Sequence, residues 1–201
     1  MKSDTIIVSN TGSRMDEALN QAELVGAYKH LSDKSILHLR LLTEEMMGMM
    51  RSITGEQSGK FWIEDDGDTY KLHLLVDTRM NTAKREHLLA ASTSGKNESA
   101  KGFMGRVMDF FDRNADEDVV AFSSPLLMSG AYENGQDILH DVEWSMLKYR
   151  QDVYDNKDDD NSAALAAWDE LEKSVVAHVA DEVKVRIRGQ QAELIIYKKF
   201  S

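Results

Sequence analysis

Apolar positions in the first quarter of the chain recur at three- and four-residue steps. Between Arg14 and Leu31, the residues Ala18, Ala22 and Val25, with Leu24, Tyr28 and Leu31 beside them, make one stripe, which is the spacing of an amphipathic helix. Ser32-Asp33-Lys34-Ser35 then offers capping oxygens, and Ile36, Leu39, Leu42, Met46, Met49 and Ile53 follow at helical spacing as far as Gly55. The pattern predicts a second helix over 36–53. Ahead of both, the β-branched run DTIIVS at 4–9 runs into the turn-prone Asn10-Thr11-Gly12-Ser13 and predicts an opening strand.

The period then shortens to two. Phe61 and Ile63, then Tyr70, Leu72, Leu74 and Val76, alternate with polar neighbours around Asp65-Asp66-Gly67-Asp68, so 60–66 and 69–77 form an antiparallel hairpin. Residues 81–101 allow one helical turn at His87–Ala91 and then become Ser, Gly, Asn and Lys, a loop composition. A helical pattern returns over 102–111, and the one proline, Pro125, sits in a short apolar stretch from Val119 to Met128. Two further helices are predicted over 136–154 and 162–179, joined by the polar DNKDDDNS segment. At the end, Val183, Val185 and Ile187 alternate with basic residues, Gly189-Gln190 can turn, and Ala192, Leu194 and Ile196 return, a second hairpin.

Hairpins with helices grouped between them imply an α+β fold: a two-layer sandwich, a mostly antiparallel mixed sheet with helices on one face. One domain spans 1–201, with 112–180 as an enlarged helical connection before the last hairpin. The chain shows no internal repeat.

Composition narrows the chemistry. Hydrophobic residues at 42% of 201 positions suffice for a core, and one ordinary domain fits this length. With 24 basic and 35 acidic residues the net charge is −11, which repels phosphate backbones and anionic bilayers. Protein or small-molecule partners are expected, with no nucleic acid and no membrane. Absence of cysteine excludes disulfides and thiol nucleophiles and fits a cytoplasmic location. No apolar run approaches the ~18 residues of a membrane helix, and MKSDTIIVSN lacks the long apolar segment of a signal peptide.

Three segments, LRLLTEEMMGMMRSI (39–53), KFWIEDDGDTYKLHLLVDT (60–78) and KGFMGRVMDFF (101–111), together resemble the ATP-binding domain shared by histidine kinases, type II topoisomerases and anti-sigma-factor kinases, the GHKL superfamily. The opening strand, the first helix and the final hairpin extend the similarity over 4–111 and 181–200. What the resemblance implies is ATP as ligand. Its helix carries a glutamate base one turn before an asparagine that holds magnesium, because a four-residue step puts both on one face. Here Glu45 precedes Met49 and Glu44 precedes Gly48, and neither replacement offers the oxygen ligand that magnesium requires. No metal ligand is therefore assigned.

The resemblance aligns Asp77 with the adenine-binding aspartate, although Thr78-Arg79-Met80-Asn81 follows it in place of glycines. It aligns Gly102 and Gly105 of Gly102-Phe103-Met104-Gly105 with the phosphate-binding glycines, whose backbone amides at a helix start suit phosphate oxygens. Each position also has a structural reading: Glu44 and Glu45 on the solvated side of a helix, Asp77 ending a strand, Gly102 and Gly105 permitting a turn. Met46, Met47, Met49 and Met50 read as core filler.

Other constellations are weaker. The six histidines, at 30, 38, 73, 87, 140 and 178, include no pair at a helical three- or four-residue step. Asp158-Asp159-Asp160 lacks the glycine and terminal glutamate of a calcium loop, and no P-loop or nucleophile elbow is present.

The expectation is a cytoplasmic regulatory protein, similar to the anti-sigma-factor kinase branch, whose nucleotide site is degenerate. It would act through a sigma-factor-like regulator or a second copy, with Trp144 and Trp168 in the helical connection as contact candidates. The alternative is an active ATP-binding serine kinase or ATPase with Glu45 as its base. A third is an unrelated α+β binding module.

Overall fold

Alternation along Ile6, Val8, Phe61, Ile63, Tyr70, Leu72, Leu74 and Val76 puts one apolar side chain of every pair on the same side of each strand, and all eight are buried. The computed structural model describes residues 1–9, 14–54, 58–77, 142–155, 162–188 and 191–200. Among these lie six strands, β1 (Ile6–Ser9), β2 (Ser58–Asp66), β3 (Thr69–Asp77), β4 (Val142–Ser145), β5 (Glu182–Arg188) and β6 (Gln191–Lys199). Five helices accompany them: α1 (Met15–Tyr28), α2 (Asp33–Thr54), α3 (Met146–Asp155), α4 (Ser162–Lys173) and α5 (Val175–Val179).

The strands form one sheet in the order β1-β2-β3-β6-β5-β4. Every pairing among them is antiparallel, so the mixed sheet expected from the pattern is corrected to an antiparallel one. Both expected hairpins are present, with Phe61 opposite Leu74 in the first and Val185 opposite Leu194 in the second. Gly67 turns the first at φ 66°, a conformation that L side chains rarely adopt.

The inner face carries Phe61, Leu72, Leu74, Val183, Val185, Leu194 and Ile196, which join Ala22, Val25, Leu39, Leu42, Met46 and Met50 of the two long helices in one core. α1 packs on β1 and β2, α2 on β3 and β6, and α3 on β5. The four methionines expected as filler are all buried. Ser32 caps α2, its Oγ accepting from the Ser35 amide at 3.3 Å.

α1 and α2 join through a compact reversal. His30 lies at φ 55°, its amide donating to Ala27 O and the Leu31 amide to Gly26 O, each at 3.0 Å. This is the Schellman arrangement, with histidine where glycine is usual.

The helical connection differs from expectation. Residues 142–145, read as helix, are strand β4, paired with β5 through Glu143 opposite Arg186. The helix read over 162–179 breaks at Ser174, whose Oγ accepts from the Ala177 amide at 3.2 Å and starts α5 anew. The expected loop 81–101, the helix 102–111, the Pro125 stretch and residues 156–161 lie outside the described residues.

Candidate functional site

Glu45 and Met49 lie one helical turn apart on α2, and their surroundings differ. Glu44 is exposed and Glu45 half-buried. Burial, with Glu44 adding repulsion, pushes the Glu45 carboxyl above the usual range. Met49 is 3% exposed and belongs to the core cluster. A thioether sealed among apolar side chains does not fit magnesium, which takes oxygen ligands and keeps waters.

Asp77 ends β3, as the pattern implied, opposite Gln191 of β6. Nearby, Gly59 pairs with Val76, and a Cβ added at Gly59 would come 3.2 Å from the Met50 sulfur. The C-terminal half of α2 thus lies against the strand end that carries Asp77. A cleft of 110 Å³ opens beside it, lined among others by Ile7, Lys60, Leu75 and Gln191. Ligand sites usually enclose roughly 300–1,000 Å³, so this cleft, on the outer face with Lys60, is smaller than a ligand site usually is. Gly102 and Gly105 lie outside the described residues. Of the four expected site residues, the structure brings Glu45 and Asp77 onto neighbouring elements.

The outer sheet face holds a cluster that the sequence pattern did not single out. Trp62 and His73 are cross-strand partners, their rings stacked with centroids 4.8 Å apart and planes 6° apart. His73 is only 7% exposed. Its Nδ1 donates to Glu193 Oε1 at 2.9 Å, and its Nε2 lies 3.7 Å from Glu64 Oε2. Glu64 also accepts from Trp62 Nε1 at 2.8 Å and meets Lys2 at 3.4 Å. The hydrogen bond from His73 outweighs burial and holds the Glu193 carboxyl below its usual range. Three strands are tied here by polar groups, although the buried His73 Nε2 has no hydrogen-bond partner among the described residues. The signal was available: in two strands whose inner positions alternate, Trp62, Glu64 and His73 must share the outer face.

The second feature is on the helical layer. Gly26 of α1 meets Ile36 of α2 so closely that an added Cβ would sit 2.8 Å from Ile36 Cγ1. Three residues earlier on α1, Glu23 pairs with Arg40, four residues later on α2. Contacts that step in opposite directions make the two helices antiparallel. Opposite their buried stripes, Leu24 and Tyr28 are each 70% exposed and Leu37 is 60% exposed. Leu24 and Tyr28, four residues apart, share one stripe of α1.

The tryptophans of the helical connection are half-buried and pack against the core. Trp168 lies 5.8 Å from Tyr154 and donates from Nε1 to Glu172 Oε1 at 2.7 Å. Among the described residues, no group of three or more His, Asp or Glu is placed to hold a metal ion, and no helix is long and apolar enough to cross a membrane. Compared with family models, curated proteins and solved structures, the chain has no match.

Proposed function

We propose that this chain is a regulatory protein that acts by binding another protein, on a scaffold that resembles the GHKL ATP-binding domain without using magnesium-ATP. The observation behind this reading is the solvent side of α1, where Leu24 and Tyr28, four residues apart, stand exposed on one stripe, with Leu37 of α2 exposed as well. Isolated exposed apolar residues are ordinary, but a group on one surface is the usual mark of a contact site. The burial of Met49 in the core supports the same reading, because the magnesium position of the related helix is then filled by the protein's own packing.

The test is a photo-crosslinking amino acid placed at Tyr28 in the cell that makes the protein, with Lys60 on the outer sheet face as control. An adduct of one defined mass at position 28, missing at position 60, supports protein binding. Equal labelling at both positions, or none at 28, defeats it.

A second reading, a nucleotide-dependent serine kinase with Glu45 as base, is favoured by the raised Glu45 carboxyl beside the strand that carries Asp77. Thermal shift with ATP, ADP and GTP, with and without magnesium, separates the two. Ligand at a hundred times its dissociation constant adds about 2.7 kcal/mol of stability, and a magnesium-dependent rise would favour the kinase.

A further inference from the structure

The imidazole of His73 has a carboxylate at each ring nitrogen. Nδ1 lies 2.9 Å from Glu193 Oε1, and Nε2 lies 3.7 Å from Glu64 Oε2. The Glu193 carboxyl, held low by this hydrogen bond, is ionised near neutrality and only accepts, so the one proton of a neutral ring belongs on Nδ1. Nε2 is then an acceptor that faces another acceptor. Their separation exceeds the roughly 2.7–3.2 Å of a hydrogen bond, and Nε2 is buried with no other partner among the described residues. Two acceptors opposed in a sheltered space are unfavourable, and one proton on Nε2 turns the opposition into a charge-assisted bond.

Glu64 has the freedom to make that bond. Its Oε1 accepts from Trp62 Nε1 at 2.8 Å and meets Lys2 Nζ at 3.4 Å, while Oε2 is the oxygen near the histidine. Lys2 is exposed and Glu64 half-buried, so both side chains have room to turn. His73 is fixed by its stack on Trp62. We propose that His73 is a proton-operated clasp on the outer sheet face: a proton from solvent at Nε2 draws Glu64 from Lys2 to the ring, which Glu193 already holds. β2, β3 and β6 are then tied through one cation, and Lys2 in the N-terminal segment loses its partner. Histidine is the side chain whose charge changes between about pH 5 and 8, which makes acidification the signal. The clasp lies on the opposite layer from Leu24 and Tyr28 and is independent of the protein-binding reading.

The charged and titratable groups that share this part of the face are Lys2, Lys60 and Glu64 of β2, Lys71 of β3, and Glu193 and Tyr197 of β6. Lys71 Nζ lies over the Tyr197 ring at 6.0 Å, and Arg186 of β5, opposite Glu193, is engaged by Glu143. The groups in contact with the ring nitrogens are the two carboxylates, and a contact charge outweighs a more distant one.

The experiment is a pH titration of the full chain labelled with ¹⁵N-histidine, in which NMR reports the tautomer and charge of each ring. The ring of His73 is identified by its nuclear Overhauser contact with Trp62. Wild type is compared with Glu64→Gln and Lys2→Ala, with melting curves as the fold control. Expected is a proton on Nδ1 at the alkaline end, and on acidification a second at Nε2, with the Trp62 indole signal moving at the same midpoint. Glu64→Gln should lower that midpoint by about one pH unit, as loss of a charge at contact distance does. Lys2→Ala should raise it, because the cation that competes for Glu64 is gone. A ring protonated on Nε2 alone at alkaline pH, or a midpoint that Glu64→Gln leaves in place, would overturn the proposal. Should Glu64→Gln melt far below wild type, Lys2→Ala decides: a raised midpoint supports the clasp, and an unchanged or lowered one overturns it.

Discussion

Trp62 and His73 face each other ring to ring across β2 and β3, 4.8 Å apart, on the side of the sheet away from the helices. The stack shields His73, leaving it 7% exposed on a face where Lys60, Lys71 and Lys184 also stand. Its hydrogen bond to Glu193 therefore forms in partial shelter from water, where a bond to a charged group is stronger than at an open surface.

The first prediction concerns that bond in acid. The Glu193 carboxyl, its side chain 23% exposed, is held low by the hydrogen bond from His73. A carboxyl lowered on folding contributes stability above its unfolded value, about 4.3, and loses it as pH falls through the folded value. Glu193→Gln should therefore cost about 1 kcal/mol near neutrality, with a gap from wild type that narrows steadily below pH ~4.3. Urea melts of both proteins across that range check it; a gap that widens in acid would refute the assignment.

The second prediction is at the reversal between α1 and α2. His30 occupies the left-handed position of the Schellman motif at φ 55°, where a side chain costs about 1–2 kcal/mol relative to glycine. Glycine also gives the unfolded chain more freedom, which offsets part of the gain. His30→Gly should then raise stability by roughly 0.5–1 kcal/mol, a rise in Tm of about 1–4 °C for a chain of this size. Calorimetry on the single variant decides it.

Third, two glycines on neighbouring helices should respond in opposite directions to alanine. At Gly48 an added Cβ meets nothing within 4 Å, so Gly48→Ala should stabilise by roughly 0.5–1 kcal/mol through helix propensity alone. At Gly26 the same Cβ lies 2.8 Å from Ile36 Cγ1 and 3.5 Å from its Cβ. Ile36 is β-branched and cannot swing aside freely, so overpacking of about 1–3 kcal/mol outweighs the propensity gain. Chemical denaturation of both variants should show midpoints moved apart, with Gly26→Ala below wild type.

Sequence pattern revealed most of this fold wherever one period held for a whole element. Phe61 and Ile63 against Leu72 and Leu74, and Val183 and Val185 against Leu194 and Ile196, alternate cleanly because one face of each hairpin is buried. It failed where a long-range partner decided the outcome. Val142 and Met146 are four residues apart and imitate a helix, yet Glu143 is taken into β4 by Lys184 at 2.7 Å and Arg186 at 2.6 Å. Likewise Leu171, Val175 and Val179 continue a helical stripe through Ser174, while the serine side chain restarts the helix. For the candidate site, Glu45 and Asp77 were readable as types at positions, but the burial of Met49 depends on how α2 is rotated over the sheet. Spacing alone gave Glu45 and Met49 the same face; packing left Glu45 half-buried and sealed Met49 in the core.

The last prediction follows from that rotation. If α2 presented position 49 to a nucleotide, as the resemblance to the GHKL superfamily implies, Met49→Asn would supply an oxygen ligand and create magnesium-dependent ATP binding. In the structure Met49 is 3% exposed, on the turn after Met46, at 0%, and beside Met50, at 1%. An asparagine there would exchange a thioether that fills the core for an amide. Unpartnered burial of such an amide costs about 1–3 kcal/mol by protein mutational data, and lost apolar volume adds to it, as in other large-to-small core changes of about 2–5 kcal/mol. Met49→Asn should therefore lower stability by roughly 2–5 kcal/mol, and magnesium-ATP should not restore it. Met49→Leu, which conserves volume, should cost less than about 1.5 kcal/mol and so serves as the packing control. Melting curves of the three proteins, each with and without magnesium-ATP, test this directly: an asparagine variant as stable as wild type, or one that melts higher only when both metal and nucleotide are present, would mean that α2 turns this position toward a ligand.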